Sequence, residues 1–159
     1  MNRSEEISAG LSEVLDRIHQ AKHQQGITLV VVTKTFPVED IQTLYDLGVR
    51  DFGENRIEEL ELKAPALPKD VRWHFLGQIQ GKKIRRISQH AHVIHSLDSL
   101  EHAQKFADAL HDLKRDLNFF LQVNLEKERD DRGGVGINEL PDFLQNSPVE
   151  ISGLMVVLP

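Results

Sequence analysis

Two features of the sequence predict an α/β fold built on a parallel sheet. Strand-like apolar runs alternate with single helix-like stretches along the chain, and the first run, Thr28-Leu-Val-Val-Val-Thr33, is β-branched with no polar alternation. Such a run suits a strand buried on both faces, as parallel sheets require. One helix between consecutive strands implies right-handed crossovers rather than hairpins. A (β/α)8 barrel and an open doubly wound sheet share this pattern. No Gly-x-Gly-x-x-Gly follows the first strand, which counts against a dinucleotide-binding unit.

Residues 4–25 place Ile7, Leu11, Val14, Leu15 and Ile18 at helical spacing, with Ser4 as a candidate N-cap and Gly26 as a stop. After the first strand, Pro37 opens a helix with Val38, Ile41, Leu44 and Tyr45 on its apolar stripe, and Gly48 ends it. Residues 49–52 read as a strand and 54–64 as a helix stopped before Pro65. Strands follow at 71–76 and 93–97, with a helix around 82–88 between them. Leu100, Ala103, Phe106, Ala107 and Leu110 mark a helix over 99–113, capped by Asp98 or Ser99. The fifth strand is expected at 117–124, a short helix at 138–145 and the sixth strand at 151–158.

A length of 159 residues allows one domain with a sizeable core, so residues 1–159 read as a single barrel-type domain. That domain is expected to be incomplete at its C-terminus. The chain ends in the apolar strand Met155-Val-Val-Leu-Pro159, and an eight-stranded barrel needs two strands more than the six read here. The formal net charge of -6 gives no general attraction to nucleic acid or to an anionic membrane surface. With no cysteine, disulfides, thiolate catalysis and cysteine-bound zinc are excluded, in keeping with a reducing compartment. The polar, acidic start lacks a signal-peptide core, and the longest aliphatic runs are too short to cross a bilayer. A soluble, cytoplasmic protein is the expectation.

Lys34 stands out among residues able to do chemistry. It follows the first strand, where a lysine can enter the mouth of a barrel, lose hydration and attack an aldehyde as the neutral amine. Position alone leaves open a solvated lysine at a strand end. Asp51-Phe-Gly-Glu-Asn55 ends the second strand, and Asn55 offers a donor and an acceptor to a ligand, although turn chemistry alone explains a Gly and an Asn there. His74 and His95 lie on strands, where a histidine is commonly a hydrogen-bonded core residue. No tight spacing supports a metal site built from His74, His95 and Glu54. Gly77-Gln-Ile-Gln-Gly81-Lys82-Lys83 has the wrong spacing for a phosphate loop and lacks the Ser or Thr after Gly-Lys. Lys82, Lys83, Arg85 and Arg86 read as a solvated helix face.

Six segments, in order, carry a resemblance. They are Val32-Thr-Lys-Thr-Phe-Pro37, Asp51-Phe-Gly-Glu-Asn55, Trp73-His-Phe-Leu-Gly-Gln-Ile-Gln80, Ile94-His-Ser-Leu-Asp-Ser99, Gln122-Val-Asn124 and Gly153-Leu-Met155. Together they resemble the pyridoxal phosphate homeostasis protein family, which is related to the N-terminal barrel domain of bacterial alanine racemase. The resemblance implies a (β/α)8 barrel with about six of its eight strands in this chain. It also implies pyridoxal 5′-phosphate as cofactor, held as an aldimine on Lys34, with Asn55 and His74 near it. No catalytic residue and no metal ligand are implied. The expected role is intracellular vitamin B6 homeostasis by a monomer that is not an enzyme and passes the cofactor to apo-enzymes.

Where the family usually has Gln-Ser-Asn-Lys, this chain has Gln80-Gly-Lys-Lys83. Where it usually has a lysine before the glycine of the fifth loop, this chain has Asp131-Arg132-Gly133, so Arg132 is the candidate for that charge. The family's phosphate-cradling turns and its pyridine-side arginine lie on strands seven and eight, beyond the segments matched here. Three alternatives stay open: a non-binding remnant of the family, a fold-type III pyridoxal phosphate racemase or decarboxylase domain, and a class I aldolase-like barrel.

Overall fold

A computed structural model describes residues 2–21, 26–126 and 133–157. Helix α1 (Arg3–Gln20) leads into strand β1 (Val31–Val32), helix α2 (Val38–Asp46) and strand β2 (Asp51–Glu54). Helix α3 (Ile57–Lys63), strand β3 (Arg72–Phe75), helix α4 (Ile84–His90) and strand β4 (Val93–Leu97) come next. The described chain continues through helix α5 (Leu100–Leu113), strand β5 (Asn118–Asn124), strand β6 (Val135–Gly136), helix α6 (Leu140–Asn146) and strand β7 (Ile151–Val156).

All pairings are parallel, and strands β1 to β5 lie side by side in chain order, with β7 and the two-residue β6 both on β5. Sequential order is the barrel topology; a doubly wound sheet reverses direction partway. Side-chain alternation agrees. Phe52, Trp73, Phe75, Ile94, Phe119 and Leu121 join one buried cluster with Ile41, Leu60, Ile87 and Phe106 from the helices. Phe106 meets Phe119 edge-on at 5.2 Å between ring centroids, a favoured aromatic geometry. The opposite, inner face carries Val32, Gly53, His74, His95 and Phe120. Among the described residues the sheet is not closed by pairing of β1 with β7.

Several boundaries differ from the sequence reading for identifiable reasons. The first strand has only two ladder residues, and Val32 is 41% exposed rather than buried on both faces. Among the described residues it pairs with β2 alone. Helix α1 is capped by Asn2 rather than Ser4. The Asn2 side chain accepts from the Glu5 N–H while Glu5 accepts from the Asn2 N–H, closing a capping box. Ser99, as expected, caps α5 by accepting from the His102 N–H. The loop after β5 contributes β6, a pairing too short for any periodicity to announce.

Candidate functional site

Lys34 leaves the sheet in a tight turn. The Phe36 N–H donates to the Thr33 carbonyl at 3.1 Å, so residues 33–36 form a β-turn with Lys34 at its first central position. Thr35 at the second has φ 67°, as a type II turn demands. The Lys34 side chain is exposed and makes no hydrogen bond or ion pair with any other described residue. Beneath the turn lies a buried polar cluster. Lys63 Nζ donates to the Thr33 carbonyl (2.9 Å), to Glu54 Oε1 (2.7 Å) and to Glu59 Oε2 (2.8 Å). The Thr33 hydroxyl also donates to Glu54 Oε1, at 2.7 Å. Burial pushes the Glu54 carboxyl up despite the Lys63 ammonium beside it, whereas hydrogen bonding to Lys63 holds Glu59 below the usual carboxylate range.

Asn55, half-buried, follows β2 at the same end of the sheet as Lys34. Its backbone crosses against Gly77, where a Cβ would come within 2.7 Å of the Asn55 carbonyl carbon and nearer still to its oxygen. Ser96 on β4 donates to the Gly77 carbonyl at 2.6 Å, so the exits of β2, β3 and β4 are tied together. A cavity of about 370 Å³ opens at these strand ends, lined by Leu76, Gln78, Ser96, Asp98, Gln122 and Asn124 among others. Lys34, Asn55 and His74 are not part of its lining. Leu76, whose Cδ1 abuts Gly53 next to Val32, stands between the first two strands and the cavity.

His74 sits lower, at the centre of the inner face. Its Nε2 is 2.7 Å from Asp51 Oδ1 and its Nδ1 is 2.8 Å from His95 Nε2. A carboxylate can only accept, so Nε2 of His74 carries a proton, and the remaining lone pair on Nδ1 accepts from the Nε2–H of His95. Phe120 stacks on His95 at 5.0 Å. The structure therefore brings Lys34 and Asn55 to one end and places His74 below them with both ring nitrogens engaged. His74 meets His95, but Glu54 lies on the helix-facing side with Lys63, so the three do not converge.

Burial lowers the His74 pKa and takes that of His95 down to about 4. The unfolded chain protonates the His95 ring from about pH 6.5, while the folded chain refuses that proton until pH nears 4. Stability from His95 is thus complete above pH 6.5 and is lost as pH falls through about 4, and the lowered pKa of His74 acts in the same direction. We expect a loss on the order of 2 kcal/mol from His95 between those limits. Melting temperatures from pH 7 to 4 check it: His95→Phe should flatten the acid slope, and a variant slope equal to the parent's would refute the assignment.

Three of the four residues of the basic run are paired with carboxylates. Arg86 bonds Glu61 at 2.6 Å, Lys83 bonds Glu58 at 2.9 Å and Arg85 bonds Asp112 at 3.1 Å. Residues 81–83 form a single 3-10 turn, not a phosphate loop. Arg132 lies outside the described residues. No helix among the described residues is long and apolar enough to cross a membrane.

What sequence reasoning missed is the set Glu54, Glu59 and Lys63 and the chain from Asp51 through His74 to His95. The i,i+4 spacing of Glu59 and Lys63 was the one available signal.

Parallel strands in sequential order, with helices packed on one face and a lysine amine at the first strand's exit, define a barrel-type α/β protein. Residues 11–158 match the family described as alanine racemase, N-terminal domain. A Synechocystis protein named pyridoxal phosphate homeostasis protein is 35% identical over 139 residues, covering 84% of this chain and 64% of its own length. A Pseudomonas aeruginosa protein of the same name is 32% identical over 161 residues, covering 95% and 70%. The solved structure of PipY from Synechococcus elongatus without PLP superposes with a TM-score of 0.81 at 32% identity, covering 96% of this chain and 71% of PipY. The same protein with PLP bound gives 0.79. An alanine racemase from Bartonella henselae, 18% identical with a TM-score of 0.72, shares the fold. The chain belongs to the pyridoxal phosphate homeostasis protein family, within the alanine racemase N-terminal domain group. It spans about two thirds of the length of these relatives, 64% of the Synechocystis protein.

Proposed function

We propose that this chain binds pyridoxal 5′-phosphate through Lys34 and serves vitamin B6 homeostasis rather than catalysis. The observation that carries this reading is the Lys34 amine itself: exposed, at the carboxyl end of β1, and without a partner among the described residues. The residues present fit the group. Such an amine suits an aldehyde, and Asn55 adds an amide donor and acceptor at the same end of the sheet. When bound, the cofactor supplies the aldehyde that condenses with the amine with loss of one water. Lys34 would hold it covalently, Asn55 would orient it, and His74 would support the site from below through its ordered link to Asp51 and His95. Similarity to PipY, whose structure has been solved with PLP bound, supports the same reading.

Residues 1–159 are proposed to act as one domain, monomeric and cytoplasmic, that gives up its cofactor to apo-enzymes. The absence of cysteine fits a reducing compartment. Exposure of Lys34 leaves the adduct open to an incoming amine.

The test is borohydride reduction with pyridoxal phosphate followed by peptide mass mapping. One adduct on Lys34 at low cofactor concentration is expected, with Lys34→Ala losing it. Equal labelling of Lys34→Ala, or labelling scattered over surface lysines, would leave a family member that does not bind.

A further inference from the structure

We infer that Glu59 and Lys63 are positioning residues that pin both peptide groups flanking Lys34 and so hold its turn in a conformation the local sequence disfavours. This rests on the reading of Lys34 as the cofactor lysine. Thr35 is a β-branched residue at φ 67°, a left-handed conformation in which Cβ crowds the backbone. Glycine is the residue a type II turn requires there. Strain of that kind persists only where surrounding structure over-determines it. The surroundings here do so from both sides of Lys34. On the N-terminal side, the Thr33 carbonyl accepts from Lys63 Nζ at 2.9 Å as well as from the Phe36 N–H. On the C-terminal side, the Thr35 N–H donates to Glu59 Oε2 at 2.8 Å. Lys63 and Glu59 are themselves bonded at 2.8 Å one helical turn apart on α3, and Glu54 Oε1 locks Lys63 from β2.

Helix α3 thus acts as a clamp on the loop after β1. Turning the two peptides around Lys34 would swing its Cα–Cβ bond away from the strand exit and from Asn55. All three donors of the Lys63 ammonium are taken, which leaves Lys34 as the nucleophile of this corner.

The test uses the whole chain and four forms: parent, Glu59→Ala, Glu59→Gln, and Glu59→Ala combined with Thr35→Gly. The readouts are the pyridoxal phosphate concentration giving half-maximal Lys34 adduct after borohydride, and hydrogen exchange of the Thr35 amide. Glu59→Ala should need about tenfold more cofactor and lose Thr35 protection. Glu59→Gln keeps an acceptor for the Thr35 N–H and should stay near the parent. Thr35→Gly, which removes the strain, should restore the Lys34 adduct in the Glu59→Ala background. Parental half-saturation in Glu59→Ala, or failure of Thr35→Gly to rescue it, overturns the inference while Lys34 remains the cofactor lysine. If the parent itself gives no Lys34 adduct, that reading fails separately. The clamp is then judged by Thr35 exchange alone: unchanged protection in Glu59→Ala overturns it, and loss in Glu59→Ala but not Glu59→Gln upholds it.

Discussion

Lys63→Met is expected to lower stability by roughly 3–5 kcal/mol, the cost of stripping one partner from a buried ion pair. Glu54 is fully buried, and its Oε1 already serves both Lys63 and the Thr33 hydroxyl while its Oε2 has no partner. Without the ammonium, a carboxylate would remain in an apolar layer beneath β1 and α3, and the Thr33 carbonyl would lose a donor. The double variant Lys63→Met with Glu54→Gln should recover much of the loss, because the charge is gone and an acceptor for Thr33 stays. The deficit must also depend on pH. The folded-state pKa of Glu54 is already raised by burial, and loss of Lys63 raises it further. Stability from such a group is present at low pH and lost as pH rises through the folded pKa. Compared with the parent at each pH, Lys63→Met should therefore be worst near neutrality and improve on acidification. Urea unfolding at pH 7 and pH 5 reads both effects; a deficit below about 1 kcal/mol at neutral pH would show that Lys63 is not a structural charge.

The layout of this fold was legible where a local pattern sufficed. Residues 93–97 form a strand as read, Ser99 caps α5, and Gly48 stops α2 at φ 98°. Each depends on neighbours within a few positions. Misses came where spatial pairing decides. Thr28–Thr33 looks like a fully buried strand, yet only Val31 and Val32 pair, because a strand's extent depends on its neighbours. Asn2 rather than Ser4 is the cap because Glu5 stands three residues beyond it and closes the capping box.

The site divides in the same way. The place of Lys34, the proposed cofactor lysine, just beyond the first strand was legible from the apolar run before it. The cluster supporting it joins Thr33 to Glu54 across 21 positions and Lys63 to Thr33 across 30. The His74–His95 contact needs the register of β3 against β4. Such contacts follow from which face of each strand a residue occupies, so a lysine pointing to solvent and one buried against α3 look alike in a one-dimensional reading.

Gly77→Ala, in the loop after β3, is expected to be strongly disruptive for a single-methyl change, costing roughly 3 kcal/mol, at the upper end of overpacking losses. The conformation of Gly77 is ordinary, so the demand is for space. An added Cβ would meet the carbonyl carbon of Asn55 at 2.7 Å and its Cα at 3.1 Å, both main-chain atoms that cannot rotate away. The loops after β2 and β3 would have to separate. That would strain the Leu76 N–H bond to the Glu54 carbonyl (2.9 Å) and the Ser96 bond to the Gly77 carbonyl (2.6 Å). Gly53→Ala is the informative control. There a Cβ meets Leu76 Cδ1 at 2.5 Å, the end of a side chain that can change rotamer, so the penalty should be smaller. Because Gly77 touches Asn55, its substitution should also weaken Lys34 labelling by pyridoxal phosphate, whereas Gly53→Ala should leave labelling nearer the parent. Denaturant melts of the two variants side by side decide the matter. If Gly77→Ala is no less stable than Gly53→Ala, the two loops are not in the close contact on which Asn55's placement depends.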